Sequence, residues 1–141
     1  MNILSVDFGT SSVKMSVLDE NLNVLSDTKV EYSYEVLNKT NIQIDVEVVY
    51  AAFIKGLDSM HEFKNKIDVI APCVFSPTLV AMDRDGNPLY PAIIHLDRRS
   101  YTQAEFAIKA VGKEKFLNIN GNLPFPGGIS CTSILWIKDN F

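Results

Sequence analysis

The chain has 141 residues, of which 47% are hydrophobic and 21% charged, and carries a net charge of -4 at pH 7; this length suits one domain around one core. Such a balance is that of an ordinary globular protein and lacks the basic excess of a nucleic-acid binder, Cys73 and Cys131 form neither a disulfide framework nor a zinc spacing, and no apolar run reaches membrane-spanning length. The expectation is an untargeted protein of a reducing cytoplasm.

From Asn2 to Phe8 a short apolar run reads as a strand, and beyond FGTSS the residues Val13, Met15 and Val17 alternate with Lys14 and Ser16 as a second strand would. After the polar DENLN segment, Val24, Ser26, Thr28, Val30, Tyr32 and Tyr34 make a mostly apolar face against a charged one, which predicts a third strand and an antiparallel meander. Asp45 is placed to cap a helix, and Val46, Val49, Phe53, Leu57 and Met60 follow at helical spacing to about Lys66. IDVIAPCVFS reads as a buried strand interrupted by Pro72, and LVAMDRDGNPLYPAIIHLD as a hairpin turning at DRDGN. Ser100 and Gln103 have the spacing of a capping box before a second helix through Ala104, Ala107, Ile108 and Val111. The loop NGNLPFPGG then leads into a third helix, ISCTSILWIKDNF, whose Ile134, Leu135 and Ile137 have little chain after them to cover them. Phe141 is read as an early end point within a larger protein, against a blander alternative of a frayed last helix packed on the sheet.

The chemistry concentrates first in VDFGTSSVK. A turn of Gly, Thr and Ser between antiparallel strands can aim N–H groups and hydroxyls at an anion, with a neighbouring carboxylate holding hydrated Mg²⁺. The segment is neither a Walker A loop nor a GxGxxG fingerprint, and its DFG triplet lacks the other protein-kinase segments. The competing structural explanation is a tight turn with surface hydroxyls and a buried Asp7.

DFGTSSVK resembles the first phosphate motif of the FGGY carbohydrate kinases, members of the actin-like, sugar kinase and Hsp70-type ATPase superfamily. VAMDRDGNPLYPAIIHLDRRS is similar to that family's LLDxxGxPLxPAIxWxDxRS segment, and ISCTSILWIKDN to its later xxKLLWLKEN helix, in the same order. The resemblance implies an α/β, ribonuclease H-like (actin-like ATPase) domain whose mixed sheet begins with the three-strand meander and is flanked by helices. Residues 1–141 would be the N-terminal kinase domain, with the C-terminal actin-like domain absent.

The same resemblance implies ATP and Mg²⁺ as cofactors and assigns roles to residues. Asp7 would orient Mg²⁺ through water, Gly9, Thr10, Ser11 and Ser12 would line the phosphate path, and Lys14 would add positive charge. Asp97 and Arg99 would help build the sugar end, with His95 where the family usually has Trp; Arg98, at a variable position, is read as a solvated charge. Phe75, Ser76 and Thr78 are further pocket candidates, Ser76 and Pro77 standing where xylulokinases and gluconokinases carry Met and His. His61 is given no role beyond a solvent-facing one, and Leu135 and Trp136 are read as core. No catalytic residue is expected within the chain, because the family's base lies in a segment beyond Phe141, so the chain alone would be inactive or nearly so. The implied partners are a sugar or polyol and the missing domain, with neither nucleic acid nor membrane, and a homodimer left open. A pentulose such as xylulose is the favoured substrate, followed by gluconate and glycerol. The alternatives outside the family are a stand-alone, non-catalytic sugar- or phosphate-binding domain and another actin-like ATPase.

Overall fold

The computed structural model describes residues 1–141. In chain order the elements are strands β1 (Ile3–Phe8), β2 (Ser12–Leu18), β3 (Val24–Glu31), β4 (Glu35–Val36) and β5 (Ile42–Ile44), helix α1 (Val46–Ser59), strands β6 (Val69–Val74) and β7 (Ala92–Ile93), and helices α2 (Tyr101–Val111), α3 (Lys113–Asn120) and α4 (Ser130–Asn140). Where chain length suggested one core, the contacts fall into two compact units: Met1–Tyr34 with Asp45–Phe75, and Glu35–Ile44 with Ser76–Phe141.

The first unit is built on a sheet of order β3-β2-β1-β6, in which β1 to β3 are the expected antiparallel meander and β6 runs parallel to β1. Leu4, Val6, Val13, Met15 and Val17 are buried, and Ala52, Gly56 and Met60 of the helical segment are buried with them. Helix and sheet approach so closely that a Cβ on Gly56 would lie 1.8 Å from Met15 Cε, which only glycine avoids without displacing that side chain.

Asp45 caps α1 as its sequence position suggested, accepting from the Glu47 N–H at 2.9 Å. The helix stops at Ser59 rather than near Lys66: Met60 turns its apolar side chain into the core, its N–H donates to Leu57 O, and a 3₁₀ turn at His61–Phe63 follows. The expected buried strand is instead an edge strand whose six residues are all exposed. An edge position also explains why Pro72 is tolerated there, since only one side of the strand needs ladder donors. His61 is exposed, as read.

In the second unit β4, β5 and β7 form a small antiparallel sheet. The DRDGN hairpin is present in minimal form, with Asp83 N–H donating to Asn87 O at 3.0 Å and a bridge between Met82 and Pro88. The capping box is not. Ser100 Oγ donates to Thr132 Oγ1 at 2.9 Å and Gln103 Nε2 to Asp139 Oδ2 at 2.8 Å, so tertiary partners on α4 take both side chains away from the N-terminus of α2. Helix α3 was not anticipated, because Phe116 is its one buried residue and no apolar stripe announces it. On α4, Ile134 is exposed while Leu135 and Ile137 are half-buried.

Candidate functional site

The first unit brings the phosphate-motif residues to one end of its sheet. Because β1 and β6 are parallel, their carboxyl ends coincide, and Phe75 N–H continues the ladder by donating to Phe8 O at 2.9 Å. Open α/β sheets take ligands at such ends. Asp7 stands opposite Lys14 in the β1–β2 register, Oδ2 to Nζ at 3.6 Å, with side chains 49% and 61% exposed. The buried Asp7 of the competing explanation is therefore not found; both charges are open to a ligand.

The intervening turn is closed by Gly9 N–H donating to Ser12 O at 2.9 Å, while the N–H groups of Thr10 and Ser11 make no bond within the chain. Ser11 is exposed and Thr10 partly so, but Ser12 is 5% exposed, which corrects its placing along the phosphate path: its side chain presents little to an anion. Sequence reading left Tyr32 on the apolar face of the third strand. The structure gives its polar groups a place in the turn: the phenol donates to Gly9 O at 2.5 Å and the backbone N–H to Ser11 O at 3.0 Å. Burial, and secondarily the Asp7 charge, pushes the Tyr32 phenol above its ordinary pKa, so it keeps its proton and remains a donor.

In the second unit the HLDRRS segment is knotted inward. Asp97 Oδ1 accepts from Arg99 N–H at 2.8 Å, and Oδ2 accepts from Ile42 N–H at 2.6 Å and from Arg99 Nε at 2.8 Å. The Arg99 guanidinium also donates to the Tyr90 hydroxyl and to Gln43 Oε1, and it lies 5.0 Å from the Trp136 ring centroid. With side chains 1% and 2% exposed, Asp97 and Arg99 are spent on internal bonds, and the expected direct contact with a sugar is not met by this geometry. Trp136, read as plain core, is a wall for that guanidinium.

Arg98 corrects the reading of a solvated charge. Its Nη1 donates to the carbonyls of His95, Asp97 and Pro126 at 2.8, 2.8 and 3.0 Å, tying HLDRRS to the PFPGG loop. Gly127 makes room for this: at φ +73° a Cβ there would fall 2.3 Å from His95 O and 2.5 Å from Arg98 Nη1. The signal in the sequence was the Pro-Gly-Gly cluster, but nothing local linked it to an arginine 28 residues away.

Two polar atoms in this unit are buried without a partner, Thr78 Oγ1 and His95 Nδ1. The Leu79–Ile93 bridge sets their segments side by side, with paired N–H to carbonyl bonds of 2.9 Å in both directions. Unpaired buried polar groups are costly and mark places where a further partner is wanted. Ser76 is exposed next to them in sequence.

A mixed α/β sheet whose first hairpin carries an open carboxylate, an open lysine and unpaired N–H groups defines a class of domain suited to anionic ligands. The chain belongs to the FGGY family of carbohydrate kinases, whose N-terminal domain pattern matches residues 2–141. It is 29% identical over 143 residues to the glycerol kinase of Borrelia hermsii and 26% identical over 140 residues to the xylulose kinase of Staphylococcus xylosus, covering 98% of this chain and 29% of each relative. Among solved structures, the xylulose kinase of Rhodospirillum rubrum matches with a TM-score of 0.88 at 17% identity, covering 99% of this chain and 30% of that one. The glycerol kinase of Plasmodium falciparum, solved with ADP, matches at 0.80 and 23% identity, over 99% and 29% of the respective chains. These likenesses show the α/β fold that the family resemblance implied. The chain spans under a third of the length of such relatives.

Proposed function

We propose that the chain is the N-terminal part of a kinase that transfers the γ-phosphoryl group of MgATP to a hydroxyl of a sugar or polyol. The observation that carries this reading is the exposed Asp7–Lys14 pair beside the unpaired Thr10 and Ser11 N–H groups. One carboxylate together with nucleotide phosphates and water is an ordinary donor set for Mg²⁺, so Asp7 would hold it, and no larger acidic cluster is present or needed. When bound, Mg²⁺ would neutralise charge that develops on the phosphates. Lys14 would draw the phosphates by charge, and Gly9, Thr10 and Ser11 would position them through the backbone.

On the second unit, His95 and Thr78, with Ser76 nearby in sequence, would face the acceptor, and the Asp97–Arg99 clasp would hold the His95 segment in place. Among acceptors we put xylulose first and gluconate next, the GNPLYPAI segment favouring both over glycerol. The absent Met-His pair argues for a pocket unlike that of known xylulokinases. The general base for the hydroxyl would come from outside residues 1–141, as would the second domain, consistent with the relatives' greater length. The complete gene product with MgATP and a panel of pentuloses, gluconate and glycerol tests this. Sugar-dependent ADP release that is lost in Asp7→Ala is expected; no release with any member of the panel overturns the assignment.

A further inference from the structure

Tyr32 lies outside the DFGTSSVK motif, and its role here rests on the phosphate reading of the turn. The Gly9–Thr10 peptide is trans, since the one cis bond in the chain is Ser76–Pro77. In a planar trans peptide the C=O and N–H point in opposite directions. Holding Gly9 O at the Tyr32 phenol therefore turns the Thr10 N–H away from Tyr32. A second bond, Tyr32 N–H to Ser11 O at 3.0 Å, holds the carbonyl two residues further on at Tyr32 as well. That side suits no anion: the open hollow there is lined by Ser11, Glu31, Tyr32 and Ser33, and Glu31 is an acid already engaged by Lys29 at 2.7 Å.

A free turn would let its carbonyls compete with its N–H groups for the face met by phosphate, and carbonyl oxygens repel phosphate oxygens. We infer that Tyr32 is a positioning residue for the nucleotide phosphates: it draws the Gly9 and Ser11 carbonyls to its own side so that the Thr10 N–H is presented to the anion. Tyr32 touches no reacting atom in this scheme. Its effect is on the orientation of a donor, so it should appear in phosphate affinity.

The test is a titration of the chain with tripolyphosphate, which carries the anion without the base, read from the amide NMR signals of Thr10 and Ser11. Tyr32→Phe keeps the ring and removes the hydroxyl, so a role in packing alone would survive it. The expected result is about tenfold weaker binding, the equivalent of one ordinary charge-assisted hydrogen bond, with the chain still folded and its thermal unfolding midpoint lowered only by the loss of the one bond to Gly9 O. Equal affinity in both proteins overturns the role of Tyr32 and leaves the phosphate turn standing. Absence of binding by the unsubstituted chain overturns both. Should Tyr32→Phe fail to fold, 3,5-difluorotyrosine at position 32 replaces it. Raising the pH then ionises that more acidic phenol, and affinity should fall as the donor is lost; an affinity independent of that ionisation overturns the inference.

Discussion

Two acid–base pairs in this chain have the same charges and opposite fates. Asp7 and Lys14 face each other across neighbouring strands at 3.6 Å, both about half exposed or more, with no hydrogen bond to either side chain. Asp97 and Arg99 lie within 2.8 Å, almost wholly buried, with both carboxylate oxygens and three guanidinium nitrogens engaged. Arginine suits the second site because its planar fork reaches several fixed acceptors at once, whereas the lysine is a mobile point charge. The contrast teaches that a family motif locates charge but not its use: the exposed pair can answer a ligand, while the buried pair is occupied with holding its own segment.

Breaking the buried pair should have the largest effect. Asp97→Ala removes three hydrogen bonds and leaves the Arg99 guanidinium buried without its counter-charge. Loss of one partner from such a pair costs about 3–5 kcal/mol. Urea denaturation should show a midpoint shifted accordingly, with the second unit's tryptophan, Trp136, reporting the change because it lies against Arg99. A loss below about 1 kcal/mol would mean that the guanidinium finds water, and the clasp would no longer explain how the HLDRRS segment is held.

The open pair should respond in the reverse manner. Exposed ion pairs of this kind contribute about 0–1 kcal/mol, so Asp7→Asn and Lys14→Ala should leave the unfolding midpoint nearly unmoved. Tripolyphosphate binding should weaken severalfold in Lys14→Ala, and the Mg²⁺ dependence of nucleotide binding should fall in Asp7→Asn. If either substitution instead destabilises the chain as much as Asp97→Ala, the pair is structural and the comparison collapses.

The legible parts of the molecule were those whose partners lie close in sequence. The meander, the Asp45 cap and the DRDGN turn are set by side chains within a few residues, and the sequence pattern carried them. Ser100 misled because its cap role was overridden by Thr132, a partner 32 residues on. Arg98 was invisible for the same reason, its carbonyl cradle being completed by Pro126 and opened by Gly127. In the candidate phosphate site Asp7, Lys14 and the glycine turn could be found from the motif, but Tyr32 could not, since alternation marks which face a residue takes and not what its hydroxyl meets. The exposure of β6 was hidden because its apolar letters, Val69, Ile70 and Val74, read the same for a central strand and an uncovered edge.

A third kind of carboxylate sharpens the distinction between buried and open charge, because it is exposed and yet tied. Asp19 and Asp83 begin two turns with one design: Oδ1 accepts from the N–H groups two and four residues on, and Oδ2 accepts from the side chain of Asn23 or Asn87. The left-handed position is filled by Gly86 in one and by Leu22, at φ 64°, in the other, so the bonding network holds the turn even where the residue resists it. These bonds, led by the Asn side-chain donor, hold both carboxyls below the ordinary value of 3.8. A depressed folded pKa means that the contribution to stability is fully present above the unfolded value and is lost as the pH falls through the folded one. Carboxyl NMR should therefore show Asp19 and Asp83 ionised below pH 3.8 in the folded chain. Asn87→Ala should raise the Asp83 value toward 3.8 and leave Asp19 unmoved. Were both to titrate at 3.8 in the unsubstituted chain, the Asn bonds would carry no charge preference, and these two carboxylates would not form a third kind.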